Sequence, residues 1–187
     1  PRAAVAFAER RGARFVVTRT QPLEQLDLGV TLTKNHGAEA VCGTGSDLVI
    51  AIEATGRFPD GGRFAPIVRL ADGVMSLTRL RLTTETGKIS GLECTIAGDG
   101  GARVWAIERH YGVSRIVRFT LPRGAPAGAE LALEVVLDLA PILRDSLNLE
   151  GITFLPDGRM VTVADNQGKS VSGPSRLLVF PLNAGTH

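Results

Sequence analysis

The sequence predicts an all-β fold, and within that class a β-propeller of four-stranded antiparallel blades, about three and a half of them in 187 residues. Three observations predict it. Short apolar runs alternate with Gly, Asp and Pro turns along the whole chain, which is strand-and-turn chemistry. A hairpin bracketed by acids recurs roughly every 55 residues, close to the period of four-stranded repeat units. The second strand of each copy ("LVIAI", "RVWAI", "RMVTV") is apolar on both faces, so it belongs between layers rather than on a half-solvated surface.

The elements follow in order. "AAVAFAERRGARFVVTRT" (Ala3 to Thr20) reads as the second and third strands of a copy whose opening strand is absent, with Glu9 as its closing acid. "AEAVCGTGSDLVIAIE" (Ala38 to Glu53) is a full acid-bracketed hairpin turning at Gly-Ser-Asp. "RFAPIVRL" (Arg63 to Leu70) and "VMSLTRLRLT" (Val74 to Thr83) supply its third and fourth strands. "LECTIAGDGGARVWAIE" (Leu92 to Glu108) repeats the hairpin, followed by "SRIVRFTLP" (Ser114 to Pro122) and "ELALEVVLDL" (Glu130 to Leu139). "LEGITFLPDGRMVTVAD" (Leu149 to Asp165) is the clearest copy, and "SRLLVFPL" (Ser175 to Leu182) is its third strand. The units run over 3–33, 38–83, 91–139 and 148–182 of a single partial domain, 1–187. Helix is confined to single turns at "LEQLDL" and "APILRDSL". Such a count does not close a ring, because propellers carry four to eight blades. We expect a processed or truncated chain that missing blades or a partner chain completes. A sandwich with internal duplication is the competing architecture.

Composition excludes some function classes. A net charge of +2 with scattered basic residues leaves no footprint for nucleic acid. No apolar stretch approaches the ~20 residues of a membrane span. No G-x-S-x-G elbow occurs, and "GTGSD" joins two strands with no helix behind it, so it is not a phosphate loop. Cys42 and Cys94 read as two small buried residues, with a disulfide between neighbouring strands as the alternative.

The acids are the candidate chemistry. A hairpin returns to its starting level, so an acid opening the first strand and one closing the second share a rim. Glu39/Glu53, Glu93/Glu108 and Glu150/Asp165, with Glu9 alone, are therefore expected at one channel mouth. Crowded carboxylates need compensation. A hard cation such as Ca²⁺ accepts six to eight oxygens. Arg10, Arg57, Arg109, His110, Lys34 and Lys169 are alternative neutralisers near the same rim. His36 and His110 are candidate general acids or bases, with an ordinary loop histidine as the plainer reading.

Several segments together resemble the phytase-like ("esterase-like activity of phytase") family of bacterial β-propellers. "NLEGITFLPDGRMVTVADNQG…SRLLVFPL" resembles that family's C-terminal blade. "AFAERRGARF", "NHGAEAV" and "VWAIERHYG" resemble its Phe-Glu-Arg, Asn-x-Gly-x-Glu-Ala and Leu-x-Glu-Arg segments. The chain departs from the family where Ser146–Leu149 replaces its Asp-Asn before Glu-Gly, and where "DNQGK" replaces Asp-Asn-Asn-Phe. The resemblance implies a periplasmic or secreted propeller, Ca²⁺, and hydrolysis of a small ester or phosphoester. It carries Glu39, Glu93, Glu150, Asp165 and Asn166 over as site residues, with Glu9, Arg10, Glu108 and Arg109 on matching segments.

Two functions from different classes are expected. In a metal-assisted hydrolase Glu39, Glu53, Glu93, Glu150, Asp165 and Asn166 hold the ion, and Glu108, Arg109 and His110 act on the substrate, with Lys169 as a further anion ligand. In a non-catalytic scaffold of the cell envelope the same mouth holds a small ligand or a protein. A lactonase-like or sugar-acid hydrolase propeller is a third reading that differs in substrate.

Overall fold

The computed structural model describes residues 3–33, 36–110, 112–143, 147–165 and 175–181. The chain is all-β. Its strands are β1 (Ala4–Arg11), β2 (Arg14–Pro22), β3 (Ala38–Thr44), β4 (Asp47–Ile52), β5 (Gly56–Arg57), β6 (Arg63–Ala71), β7 (Val74–Arg81), β8 (Lys88–Ile96), β9 (Ala102–His110), β10 (Val113–Leu121), β11 (Glu130–Leu131), β12 (Glu134–Asp138), β13 (Asn148–Phe154), β14 (Met160–Asp165) and β15 (Arg176–Phe180). Among the described residues one 3-10 turn forms, at Leu23–Gln25, inside a segment expected to make one; part of the other expected segment, 144–146, lies outside the described residues.

Among the described residues four sheets form, none of them closed. The first is the β1–β2 hairpin. The second runs β3-β4-β6-β7-β11 with the short β5 also on β6. The third is β8-β9-β10-β12, and the fourth is β13-β14-β15. Apart from β11, which pairs in parallel with β7, neighbouring strands in each sheet pair antiparallel. The β6–β7 hairpin shows the turn chemistry directly: Asp72 (φ 49°) and Gly73 (φ 79°) both take positive φ, as a two-residue type I′ turn requires.

The segment expected as one fourth strand, Glu130–Leu139, is split. Glu130–Leu131 crosses back to pair in parallel with β7, and only β12 joins β10. The dividing residues, Ala132 and Leu133, pair with neither sheet. The second sheet is thereby tied to the third by backbone hydrogen bonds, including Arg79 N to Ala129 O at 2.8 Å and Gly128 N to Leu77 O at 2.7 Å.

The core explains the doubly apolar strands. Val49 and Ala51 of β4 pack with Ile89, Leu92, Val104 and Ala106 of the third sheet. Ile50 and Ile52, on the other face of β4, pack with Leu23, Leu28 and Val68 and against Val5 of the hairpin. On β9, Val104 and Ala106 face back to the second sheet while Trp105 and Ile107 pack on Leu147, Leu149 and Ile152. The sheets are therefore layered in chain order, with β4 and β9 sandwiched on both faces, whereas β14 leaves Val163 exposed. Opposite faces of a strand alternate, so burial of both requires apolar residues at every step.

Covalent and polar links reinforce the layers. Cys42 on β3 and Cys94 on β8 form a disulfide, with Cα atoms 5.6 Å apart. This corrects the plainer reading of two unlinked buried residues; their distance in sequence hid that β3 and β8 run side by side. Arg69 is buried, bonds Asp47 Oδ2 at 2.5 Å and points toward the carbonyls of Gly100 and Pro122 in the neighbouring sheet.

Candidate functional site

The opening strands of the last three sheets share a defect. Each carries a β-bulge against its partner: between Ala38 and Ala40 on β3, between Ile89 and Gly91 on β8, and between Leu149 and Gly151 on β13. The extra residues are Glu39, Ser90 and Glu150. A bulge bends its strand and re-aims the side chain it carries. Close approach of β8 and β13 occurs at this level: a Cβ on Gly91 would lie 3.3 Å from Glu150 O, and Ser90 Oγ donates to Leu149 O at 2.7 Å.

The bulges set a register that differs from the repeat read in the sequence. Two residues before each bulge stand Gly37, Lys88 and Asn148. Across from them stand Glu53 (its N–H bonded to Gly37 O at 2.9 Å), Arg109 and Asp165. The partner of Glu150 in the third sheet is thus Ser90, not Glu93, and the partner of Glu53 is Arg109, not Glu108. Matching both "LE" pairs slipped β8 by three residues and β9 by one, because the hairpin strands of the third sheet extend further beyond the bulge.

That register separates the expected site residues. Glu39, Glu53, Glu150, Arg109 and His110 come together at one end of the sheets. Lys88 Nζ lies 3.2 Å from Glu53 Oε1. Arg109 Nη2 donates to Glu150 Oε1 at 2.6 Å, and Asn148 Nδ2 donates to the same oxygen at 2.5 Å. Arg109 Nε is buried with no protein partner. Glu39 makes no hydrogen bond or ion pair among the described residues. Its carboxyl is held above the ordinary glutamate value by burial first, then by the carboxylates of Glu53 and Glu150, while Arg109 and Lys88 pull it back. Burial, then Lys88, Arg109 and Arg63, hold the His110 imidazole below its ordinary value, with Glu53 opposing them.

The other expected residues lie elsewhere. Glu93 is three residues further along β8, about 10 Å up the strand at 3.3 Å per residue. Glu108 is fully buried and accepts hydrogen bonds from the Thr83 hydroxyl (2.5 Å), the Thr84 hydroxyl (3.0 Å) and Thr83 N–H (3.2 Å). It anchors the turn before β8, where a Cβ on Gly87 would sit 2.2 Å from its Oε1. Asp165 is exposed at the end of β14. Glu9 sits on the outlying hairpin, paired loosely with Arg11 at 3.6 Å, and Arg10 Nε donates to Gly12 O. Arg57 is occupied by Gly61 O and Glu85. His36 is hydrogen-bonded to the Thr33 hydroxyl at 2.7 Å. Asn166, Lys34 and Lys169 lie outside the described residues. Sequence reasoning missed Lys88 and Asn148 as site residues. Their signal was position, two residues ahead of "S-G" and "E-G", which only the bulge register reveals.

Of the residues expected to hold calcium, Asn166 lies outside the described residues. Among the described residues no three His, Cys, Asp or Glu side chains are arranged to hold a metal ion, and Glu53 and Glu150 are each bonded to a cationic side chain. No helix in the described residues is long and apolar enough to cross a membrane.

No protein-family model matches this chain, and neither a curated protein nor a solved structure matches it.

Proposed function

We propose that this chain is part of a phytase-like β-propeller that hydrolyses a small ester or phosphoester at the end where β3, β8 and β13 converge. One observation carries the reading: Glu39 stands unpaired, with a raised carboxyl, beside two ion pairs. A carboxyl whose pKa is raised above the ordinary glutamate value is a better proton acceptor than a free one and can return the proton it takes. Glu39 takes a proton from water as the water oxygen bonds to the acyl carbon or phosphorus. It returns that proton to the leaving oxygen as the ester bond breaks. The Lys88 ammonium has three donors, one of which meets Glu53, so the others can stabilise the developing oxyanion. His110, whose pKa is lowered by burial and its cationic neighbours, serves as a hydrogen-bonding group. Glu108 positions the turn before β8. The layered, unclosed sheets are consistent with a propeller needing further blades. The disulfide supports an oxidising compartment, periplasmic or extracellular.

The test is turnover of p-nitrophenyl acetate and p-nitrophenyl phosphate. Glu39→Gln should lower kcat/KM by about 10²–10⁴. Wild-type rates in that variant would remove the mechanism.

A second reading, a non-catalytic ligand-binding scaffold, is favoured by the pairing of Glu53 and Glu150 with Lys88 and Arg109, which is also how structural charges are neutralised. It predicts saturable binding of such esters with no turnover.

A further inference from the structure

We propose that the cleft between the turn ends of the second and third sheets binds a small zwitterion with an apolar side chain, a free amino acid or a short peptide. Its ammonium meets Asp72 and its carboxylate meets Arg123. The inference is independent of the chemistry at Glu39. Asp47, at this end of β4, stands six residues before Glu53, about 20 Å along the strand at 3.3 Å per residue.

Pairing explains why a cleft forms here. Arg69 and Ser76 stand opposite each other on β6 and β7, and Ala71 and Val74 are the next pair on the same face. Toward the middle of the sheet that face carries Ala65, Ile67 and Leu80, which pack on the third sheet. At the turn end Ala71 and Ser76 are too short to fill the same space. Ile96, Gly100 and Arg123 bound the far side, and the cavity holds about 540 Å³, within the range of small-molecule sites. Its walls are held in place. Thr44 and Ile96 each stand two residues beyond a cysteine of the disulfide, and Gln21 Nε2 donates to Gly73 O, next to Asp72, at 3.3 Å.

Charge and burial define the ligand. Two carboxylates, Asp47 and Asp72, and two guanidiniums, Arg69 and Arg123, line the cavity. The lining is therefore neutral and favours neither an anion nor a cation alone. Arg69 is spent largely on Asp47, donating to its Oδ2 from Nε and Nη2. The side chains of Asp72 and Arg123 make no hydrogen bond or ion pair with each other or with any described residue. A ligand carrying both charges satisfies both through charge-assisted hydrogen bonds. Arg69 adds a donor at the floor. It is only 5% exposed and has five N–H groups. Its Nη1 meets one partner, Pro122 O at 3.4 Å, which leaves one N–H for a ligand oxygen. Val74 and Ile96, each 68% exposed, supply apolar surface to the same cavity. None of the lining residues is aromatic, so a nucleobase finds no ring to stack on.

The probes are L-leucine and leucyl-leucine, titrated into the intact chain by calorimetry. Isoamylamine and 4-methylpentanoate carry the same apolar group with only one of the charges. Saturable binding of at least one zwitterion is expected, at least tenfold tighter than that of either singly charged compound, and the tighter zwitterion gives the ligand's size. Asp72→Asn keeps a residue type that tolerates the φ of 49° found there. It should weaken binding at least tenfold, as should Arg123→Gln, and both exposed substitutions should keep the wild-type urea midpoint. Glu39→Gln should leave the affinity unchanged, so this site and the charged end are read separately. No saturation by either zwitterion at tens of millimolar would overturn the proposal. Equal binding of a singly charged compound, or full affinity in either the Asp72 or the Arg123 variant, would overturn it too.

Discussion

Lys88 and Glu53 form an ion pair at 3.2 Å across two sheets, with only 24% and 14% of their side chains exposed. A pair this shielded is screened less than a surface pair, and removing one partner strands the other charge in a poor solvent. Lys88→Met should therefore cost about 1–3 kcal/mol in urea unfolding. Lys88 also lowers the Glu39 pKa, so the same variant should raise it further, as read by NMR titration. An unmoved Glu39 titration would show that the two groups do not share a site.

Glu39 makes stability depend on pH in a defined direction. Its folded pKa lies above the ordinary value of 4.5, so in that window the unfolded chain has already lost a proton that the folded chain keeps. Fewer protons on the unfolded state mean that stability falls as pH rises. Glu39→Gln removes this penalty. The variant should be more stable than wild type at pH 7, and the difference should vanish below about pH 4. His110 acts in the opposite range. Its lowered pKa means that the unfolded chain binds the proton first, so its contribution to stability is lost as pH falls through 6.5 and below. Urea denaturation from pH 3.5 to 8 separates the two contributions.

The disulfide joins strands of different sheets across 52 residues of sequence. Closing a loop of that length restricts the unfolded chain by up to about 4 kcal/mol. The Cys42→Ala/Cys94→Ala double variant should lose about 2–4 kcal/mol, measured by urea unfolding under non-reducing conditions. Wild type treated with dithiothreitol should behave like the variant. No difference between oxidised and reduced wild type would mean that apolar packing between β3 and β8 suffices alone.

Calcium should have little effect on the described sheets. Any ion binding only the folded state raises its stability. Of the three clustered acids, Glu53 and Glu150 are already bonded to Lys88, Arg109 and Asn148, which leaves only Glu39 without such a partner among the described residues. Thermal unfolding in millimolar CaCl₂ should stay within about 1 °C of that in EDTA. A rise of several degrees would reopen the carboxylate rim as a metal site.

What the sequence by itself determined is local. Turn residues and doubly apolar strands such as "LVIAI" prescribe hairpins buried on both faces, because alternation and turn geometry are set within a few residues. Recurrence of the hairpin likewise announced repeated units, and Glu39, Glu53, Glu150, Arg109 and His110 were legible as one cluster. Tertiary structure decided the rest. A bulge adds one residue to one strand with no signature in composition, so only pairing revealed that Ser90 stands where Glu93 was expected and that Glu108 points into the protein. Only packing brought Cys42 to Cys94 and Lys88 to Glu53, since side-by-side placement of distant strands depends on how whole sheets stack. Which carboxylate stays unpaired was decided the same way: a raised pKa at Glu39 is the sum of burial and four neighbours, three on the strands β8, β9 and β13 and one, Glu53, just past the end of β4.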